Sequence, residues 1–413
     1  MNSLIYKKIE EFLKSNKKFC IKLGLDRISA VLNLLGNPQN NLKIIHVAGT
    51  NGKGSVCSIT AKILQDAGYN VALYTSPHLY KYNERFKIND SDISDQNLFS
   101  YLFQIEKIAS ENNIELTEFE LLTAIAFKYF SDNRVDFAVM ETGLGGRFDA
   151  VNVIQKPIIT AITSISIDHK DRLGDTVEQI AFEKAGIIKK NVPVFVNSDN
   201  VAFSTFEKVA MEKNSRLIVA NKKIDIAFEN NINYAIFDNE KFEFSLWGLH
   251  QKQNLSLALS ITEYLQCLNY KINISHIKNA LKNVFIPARF QYDEKNNRIL
   301  DGAHNVDAAK ILKKNLQFYF PNKNKIWVYG SLTTKEYEKI VNILFENGDS
   351  VFLLNNFDNS LALSPEYIIS IFNKKNIKFE IFNKTANTLN FISKDSLIII
   401  TGSFYMIGDL FSS

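Results

Sequence analysis

Short apolar runs alternate with segments of helical period along most of this 413-residue chain, and no other feature constrains the fold as strongly. KIIHVAG (43–49) leads into a helical stretch that reaches Gly68, NVALYTS (70–76) follows, helices are expected across 95–131, and VDFAVMETG (135–143) and PIITAITSIS (157–166) supply further strands. Strands that are apolar throughout and separated by helices belong to a parallel sheet covered on both faces. Capping boxes mark two helix starts, Thr117 with Glu120 and Thr176 with Gln179. Between 216 and 247 the sequence turns β-rich (RLIVA, IDIAFE, INYAIF, KFEFSLW), which reads as an antiparallel edge, and helices are expected at 251–268 and 274–283. FIPARF (285–290) breaks the pattern, which then restarts with RILDGAHN, KIWVYGSL, SVFLLNNF, IKFEIF and SLIIITGS. The expectation is therefore an α/β protein of two domains, a doubly wound one over 1–286 and a smaller Rossmann-like one over 287–413.

Composition narrows the function classes. The hydrophobic share of 46% and the charged share of 22% are those of an ordinary globular protein. A net charge of +4, from 48 basic and 44 acidic residues, without long runs of one sign, gives no support to a nucleic-acid surface. Cys20, Cys57 and Cys267 are odd in number and far apart, which argues against a disulfide framework; each reads as a buried small hydrophobe in a reducing compartment. The N-terminal segment is amphipathic and holds Glu10 and Glu11, unlike a signal peptide, and no apolar run reaches about 18 residues. A cytoplasmic protein with neither a membrane nor a nucleic-acid partner is expected.

Chemistry enters at HVAGTNGKGSV, His46 to Val56. A glycine-rich turn between a strand and a helix aims consecutive backbone N–H groups and a helix N-terminus at one point, an arrangement that attracts phosphate. Gly49, Gly52 and Gly54 allow close approach, and Lys53 would meet the terminal phosphates. A Walker loop, however, follows its lysine with a hydroxyl that binds Mg²⁺; here Gly54 stands there, and Val47 replaces the first glycine. The metal ligands must then come from neighbouring strand ends, where Ser76, Glu141 and His169 offer a hydroxyl, a carboxylate and an imidazole. Each alone is commonplace: a turn serine, a surface carboxylate and a structural histidine.

Taken in order, HVAGTNGKGS, YTSPHL, NERF, LTEFELLTA, ETGLGGRFDAVN, SIDHKDRLGDTVEQIAFEKAGIIK, GLHQKQN, PARFQ, LDGAHN and TGS make the chain resemble the folylpolyglutamate synthase and dihydrofolate synthase family, a branch of the Mur-type ATP-dependent ligases. The resemblance implies a Mur-ligase-like fold, with an N-terminal P-loop domain and a C-terminal glutamate-ligase domain. It implies that ATP is held by Gly49, Asn51, Gly52, Lys53, Gly54, Ser55 and Asn254, with Arg289, Asp301 and His304 closing over it from the second domain. Mg²⁺ would rest on Ser76, Glu141 and His169, and Lys184, carbamylated, would help to hold a second ion. Thr117, Glu118, Phe119 and Glu120, with Phe148, Asp149 and Ala150, align with the pterin site. Without the resemblance, Lys184 reads as a solvated helix lysine, Asn254 as a helix-start residue, Arg289 as a linker charge and Phe119 as core.

The implied reaction is amide formation by way of an acyl phosphate, in which L-glutamate is joined to dihydropteroate, to the tail of a reduced folate, or to both, with Lys53, Lys184 and His304 as the catalytic groups. A monomer is expected. Two departures from the family pattern stand out: Val151 where threonine is common, and TTKEYEK after YGSL, where only Lys335 matches. Another Mur-type amino-acid ligase, a P-loop kinase or ATPase, and a binding protein without turnover are the rival readings.

Overall fold

In the computed structural model, which describes residues 2–15, 24–383 and 396–411, the chain parts into two units. One comprises Met1–Ile224 and Gln253–Asn283, the other Asp225–Lys252 and Val284–Ser413.

The apolar runs of the first unit become β1 (Ile44–Ala48), β2 (Val71–Tyr74), β5 (Phe137–Glu141), β6 (Ile159–Ile162), β7 (Val194–Asn197) and β8 (Leu217–Ala220). Every residue of β1, β5, β6 and β7 is buried, as expected of strands covered on both faces. Two short strands not anticipated from sequence, β3 (Phe86–Ile88) and β4 (Ser91–Asp92), add an antiparallel edge, so the order is β4-β3-β2-β5-β1-β6-β7-β8. The sheet grows outward in both directions from β1, with β5 on one side and β6 on the other. Loops leaving such a switch point part from one another and leave a crevice at the strands' C-terminal ends.

The β-rich stretch divides differently from the expected antiparallel edge. Its first run is β8, parallel to β7. The other three, β9 (Asp225–Glu229), β10 (Ile232–Phe237) and β11 (Glu240–Glu243), form a separate antiparallel sheet in the second unit. The turn residues account for this: Asn230 and Asn231, then Asp238 and Asn239, all adopt positive φ, the backbone that two-residue hairpins require. The second unit's main sheet has the order β12-β13-β17-β14-β15-β16, from β12 (Gln291–Asp293), β13 (Arg298–Asp301), β14 (Lys325–Tyr329), β15 (Ser350–Leu354), β16 (Lys378–Phe382) and β17 (Leu397–Thr401). It is parallel except for β12.

Local signals hold where they are strong. Both capping boxes form, and at helix Glu118–Asp132 the Thr117 hydroxyl accepts the Glu120 N–H while the Glu120 carboxylate accepts the Thr117 N–H and pairs with Arg27 at 3.0 Å. Thr117→Ala should therefore cost about 1 kcal/mol, measurable as a lower urea midpoint with unchanged slope; an unchanged midpoint would show that the box adds nothing. Of the cysteines, Cys57 is buried, Cys20 lies outside the described residues, and Cys267 is exposed rather than buried. It is the last residue of helix Gln251–Cys267, where the chain turns out of the core. Among the described residues no helix is long and apolar enough to cross a membrane.

Candidate active site

The glycine loop leaves β1 and enters helix Lys53–Asp66. Gly52, at φ +88°, supplies a left-handed turn that other residues adopt at a cost. The segment after β6 grips the loop from the side. Thr50 N–H donates to the Ser164 carbonyl at 2.8 Å, the Thr163 hydroxyl donates to the Asn51 carbonyl at 2.7 Å, and the Asn51 amide donates to the Ser166 hydroxyl at 3.3 Å. Asn254 faces the loop: a Cβ on Gly52 would stand 2.2 Å from its Oδ1. Ser55 is buried in the first turn of the helix. Thr163 and Ser164, which hold the loop, carry no motif signal of their own and read in the sequence as strand residues; Ser166 opens the segment SIDHKD but is given no role there.

Lys53 folds back over this loop, its Nζ donating to the Thr50 carbonyl at 3.1 Å and standing 3.9 Å from Glu141 Oε1. Glu141 is the last residue of β5 and is buried, 3% exposed. Its other oxygen accepts the Ser76 N–H at 3.2 Å. A Cβ on Gly54 would stand 3.5 Å from the same oxygen, so this glycine keeps the carboxylate's surroundings open. Loop lysine, carboxylate and Ser76 are thereby brought together.

His169 lies farther along its loop than expected: the chain runs on from Ile162, where β6 ends, and His169 precedes helix Lys170–Leu173 at φ +51°. It stands 3.9 Å from Asp168, with 44% of its side chain exposed. Among the described residues no group of three or more His, Cys, Asp or Glu side chains has metal-binding spacing. Glu141 and the Ser76 hydroxyl are hard oxygen donors, and such a sparse set fits Mg²⁺, which takes one or two carboxylates and fills its octahedron with water and phosphate oxygens.

Lys184, on helix Val177–Ala185, is buried rather than solvated, and its Nζ donates to the Gly49 carbonyl at 2.7 Å. Burial, reinforced by the Lys53 charge and only partly offset by Asp168 and Asp149, pulls its pKa down to about 7. Asp149 is held above the ordinary carboxylate range, at about 6, by burial, even though it accepts N–H groups from Leu144 and Val151 at 2.8 and 2.9 Å. Val151 itself is fully buried, so the methyl that replaces a hydroxyl here meets core rather than water.

The pterin candidates separate into two groups. Thr117 and Glu120 are buried and bound to each other, and Asp149 and Ala150 are buried in the turn that follows Phe148. Phe119 packs against the core and lies across Gly143, whose added Cβ would stand 2.4 Å from the ring. Glu118, which burial raises above its ordinary pKa against the lowering pull of Arg85, and Phe148, 40% exposed, are the side chains with reach.

In the second unit, Arg289 is flanked by Ala288 and Phe290, both at positive φ. This backbone is secured by Asp301, which accepts the Phe290 and Ala303 N–H groups at 2.9 Å, and by Gly302 N–H, which donates to the Ala288 carbonyl at 2.9 Å. Burial raises Asp301 to about 6, with Arg289 pulling the other way. The Arg289 guanidinium lies 4.3 Å from the Phe404 ring centre. His304 uses Nδ1–H to reach the Gly302 carbonyl at 2.9 Å, which leaves Nε2 as the acceptor of the neutral ring.

Comparison with known proteins gives the family. Residues 47–262 match the Mur ligase middle domain, and residues 287–413 match the dihydrofolate synthetase C-terminal domain. The dihydrofolate synthase/folylpolyglutamate synthase of Bacillus subtilis is 32% identical, with 98% of each chain covered. Among solved structures, Mycobacterium tuberculosis folylpolyglutamate synthase complexed with ADP and AMPPCP superposes with a TM-score of 0.87 at 26% identity, over 99% of this chain and 98% of that one. E. coli FolC in complex with DHPP and ADP gives 0.83 at 26% identity, over 98% and 96%.

Proposed function

Because the chain belongs to the dihydrofolate synthase/folylpolyglutamate synthase family of Mur-type ligases, we propose that it joins L-glutamate both to dihydropteroate and to the tail of reduced folates. It is an ATP-dependent ligase. The observation that carries the proposed chemistry is the convergence on one loop of Lys53, Glu141 and the buried amine of Lys184.

The reaction sets an acceptor carboxylate against the γ-phosphate of ATP, two anions that need cations between them. Lys53 is assigned to the phosphates, exchanging its bond to the Thr50 carbonyl for phosphate oxygens, and the N–H groups of Gly49 to Ser55 to cradling them. The acyl phosphate that forms is then opened by the amine of glutamate, releasing phosphate and leaving the amide. Mg²⁺ would be held by Ser76, Glu141 and His169, with a second ion on carbamylated Lys184, and would neutralise charge on the transferring group. Asn254 is assigned to the adenine, Arg289, Asp301 and His304 to the phosphate end of ATP, and Thr117 to Glu120 with Phe148 to Ala150 to the pterin. Arg289→Ala should lower ligation on the order of 10²-fold without lowering the melting temperature; unchanged turnover would remove this residue from the site.

A monomer in the cytoplasm is part of this reading. The decisive experiment is mass spectrometry of products after incubation with ATP, Mg²⁺, glutamate and either dihydropteroate or tetrahydrofolate. A glutamate added to both supports the bifunctional reading, and addition to one alone restricts the enzyme to that acceptor. ATP consumed with neither acceptor extended would overturn the reading in favour of another Mur-type ligase or an ATPase.

A further inference from the structure

Arg147 is not used by the chemistry above, yet its surroundings are built. Its guanidinium lies 4.5 Å from the ring centre of Phe148 and 5.3 Å from that of Phe182. These rings are 40% and 48% exposed. Apolar rings at that exposure are a cost in water, and here both lie within cation–π distance of one guanidinium. Nη2 donates to Glu183 Oε1 at 2.7 Å, and the Arg147 backbone N–H donates to the Glu183 carbonyl at 2.8 Å. The two segments touch through glycine: a Cβ on Gly146 would stand 2.8 Å from the Lys184 Cα. The guanidinium thus adjoins the segment that carries Lys184, with 44% of its side chain open to solvent. A guanidinium has five N–H donors in a rigid fork; among the described residues, one of them reaches a side chain, that of Glu183.

We propose that Arg147, flanked by Phe148 and Phe182, binds the acceptor's non-reacting carboxylate, the α-carboxylate of an existing glutamate tail. Charge and shape together select this ligand. A planar fork suits a carboxylate in bidentate contact, and a folate places its benzoyl ring one amide bond from that carboxylate, so an apolar surface beside a cation fits the pair. The role rests on the ligase reading and makes Arg147 a specificity residue for elongation, since dihydropteroate has no tail and its single carboxylate is the one activated.

The test is steady-state kinetics with two acceptors: tetrahydrofolate monoglutamate, and its analogue in which γ-aminobutyrate replaces the tail glutamate, which keeps the reacting carboxylate and lacks the other. In the wild type, loss of the α-carboxylate should raise KM about 10- to 100-fold. Arg147→Gln should raise KM for the natural acceptor by the same factor, leave the analogue's KM unchanged and leave kcat nearly so; Arg147→Lys should fall between. Unchanged ATP affinity and melting temperature separate this from misfolding. Losses that add, or a KM shift for glutamate in place of the acceptor, would overturn the proposal. So would a wild type that extends tetrahydrofolate without sensing the α-carboxylate, or one that accepts dihydropteroate alone, and both would leave the ligase reading standing. A wild type that extends neither acceptor would instead remove the ligase reading itself.

Discussion

Lys184→Ala is expected to ligate on the order of 10³-fold more slowly than the wild type, to melt no lower, and to regain part of its activity when a short carboxylic acid such as acetate is added. A lysine side chain enclosed in protein is costly as a cation, and this one stands near a second cation, Lys53. Its pKa of about 7 lies below that of a free lysine, so the amine is protonated below pH 7 and neutral above it. Only the neutral amine can add CO₂, and the carbamate so formed keeps an N–H for the Gly49 carbonyl while presenting an anion to Lys53. Wild-type activity should accordingly fall as pH drops through 7, and bicarbonate should lift it most near that pH, whereas Lys184→Ala should ignore bicarbonate altogether. Between about pH 7 and 10 the unfolded chain holds a proton on this lysine that the folded chain lacks, so this group's contribution to stability rises with pH across that window. Lys184→Met should then unfold no more easily than the wild type at pH 7, which keeps loss of activity distinct from loss of fold. A fully active Lys184→Ala enzyme would show that no carboxylate is needed at this position.

The sequence made the sheets readable wherever strands were buried on both faces. IIHVA and FAVME have no position facing water, so burial and apolar composition coincide and no periodicity is needed. β3 and β4 span three and two residues, too few for any pattern; β3 takes shape against β2, and β4 against β3. The assignment of 225–252 to the second unit is likewise a matter of non-local pairing, since alternation inside a strand does not say which sheet will receive it. At the site, the glycine loop was legible because a tight strand-to-helix turn with positive φ leaves few residue choices. Lys184 was not: Glu183 and Lys184 form a polar pair on a short helix, and the burial of one of them depends on Gly49 and Gly146, distant in sequence. The pairing of Arg27 with Glu120, which fastens the start of helix Glu118–Asp132, is invisible for the same reason. From sequence His169 is expected just past a strand, but Thr163, Ser164 and Ser166 are engaged in holding the glycine loop and the path to His169 is longer.

That grip of one loop on another makes Gly49→Ala the second substitution with a large expected effect. Gly49 sits at φ +148°, and a Cβ there would lie 1.7 Å from Thr163 Oγ1 and 2.9 Å from Thr163 Cβ. Thr163 cannot swing aside without loss, because its hydroxyl donates to the Asn51 carbonyl at 2.7 Å and its N–H to the Ala48 carbonyl at 2.9 Å, continuing the register that pairs Ala48 with Ile162. The added methyl must therefore displace the glycine loop, and with it the carbonyl that receives Lys184 Nζ. Strain from the backbone angle and overpacking together should cost about 2–4 kcal/mol of stability, and ATP affinity should fall about 100-fold or more, since loop N–H groups displaced by even an ångström no longer converge on phosphate. Gly36→Ala is the matching control: φ there is +78° with nothing within 4 Å of the added methyl, so it should lose about 1 kcal/mol from backbone strain and bind ATP as the wild type does. Calorimetric titration of ATP against both variants distinguishes the cases. If Gly49→Ala binds ATP normally, the loop does not depend on its seat against Thr163, and the phosphates must be held by some other part of the first unit.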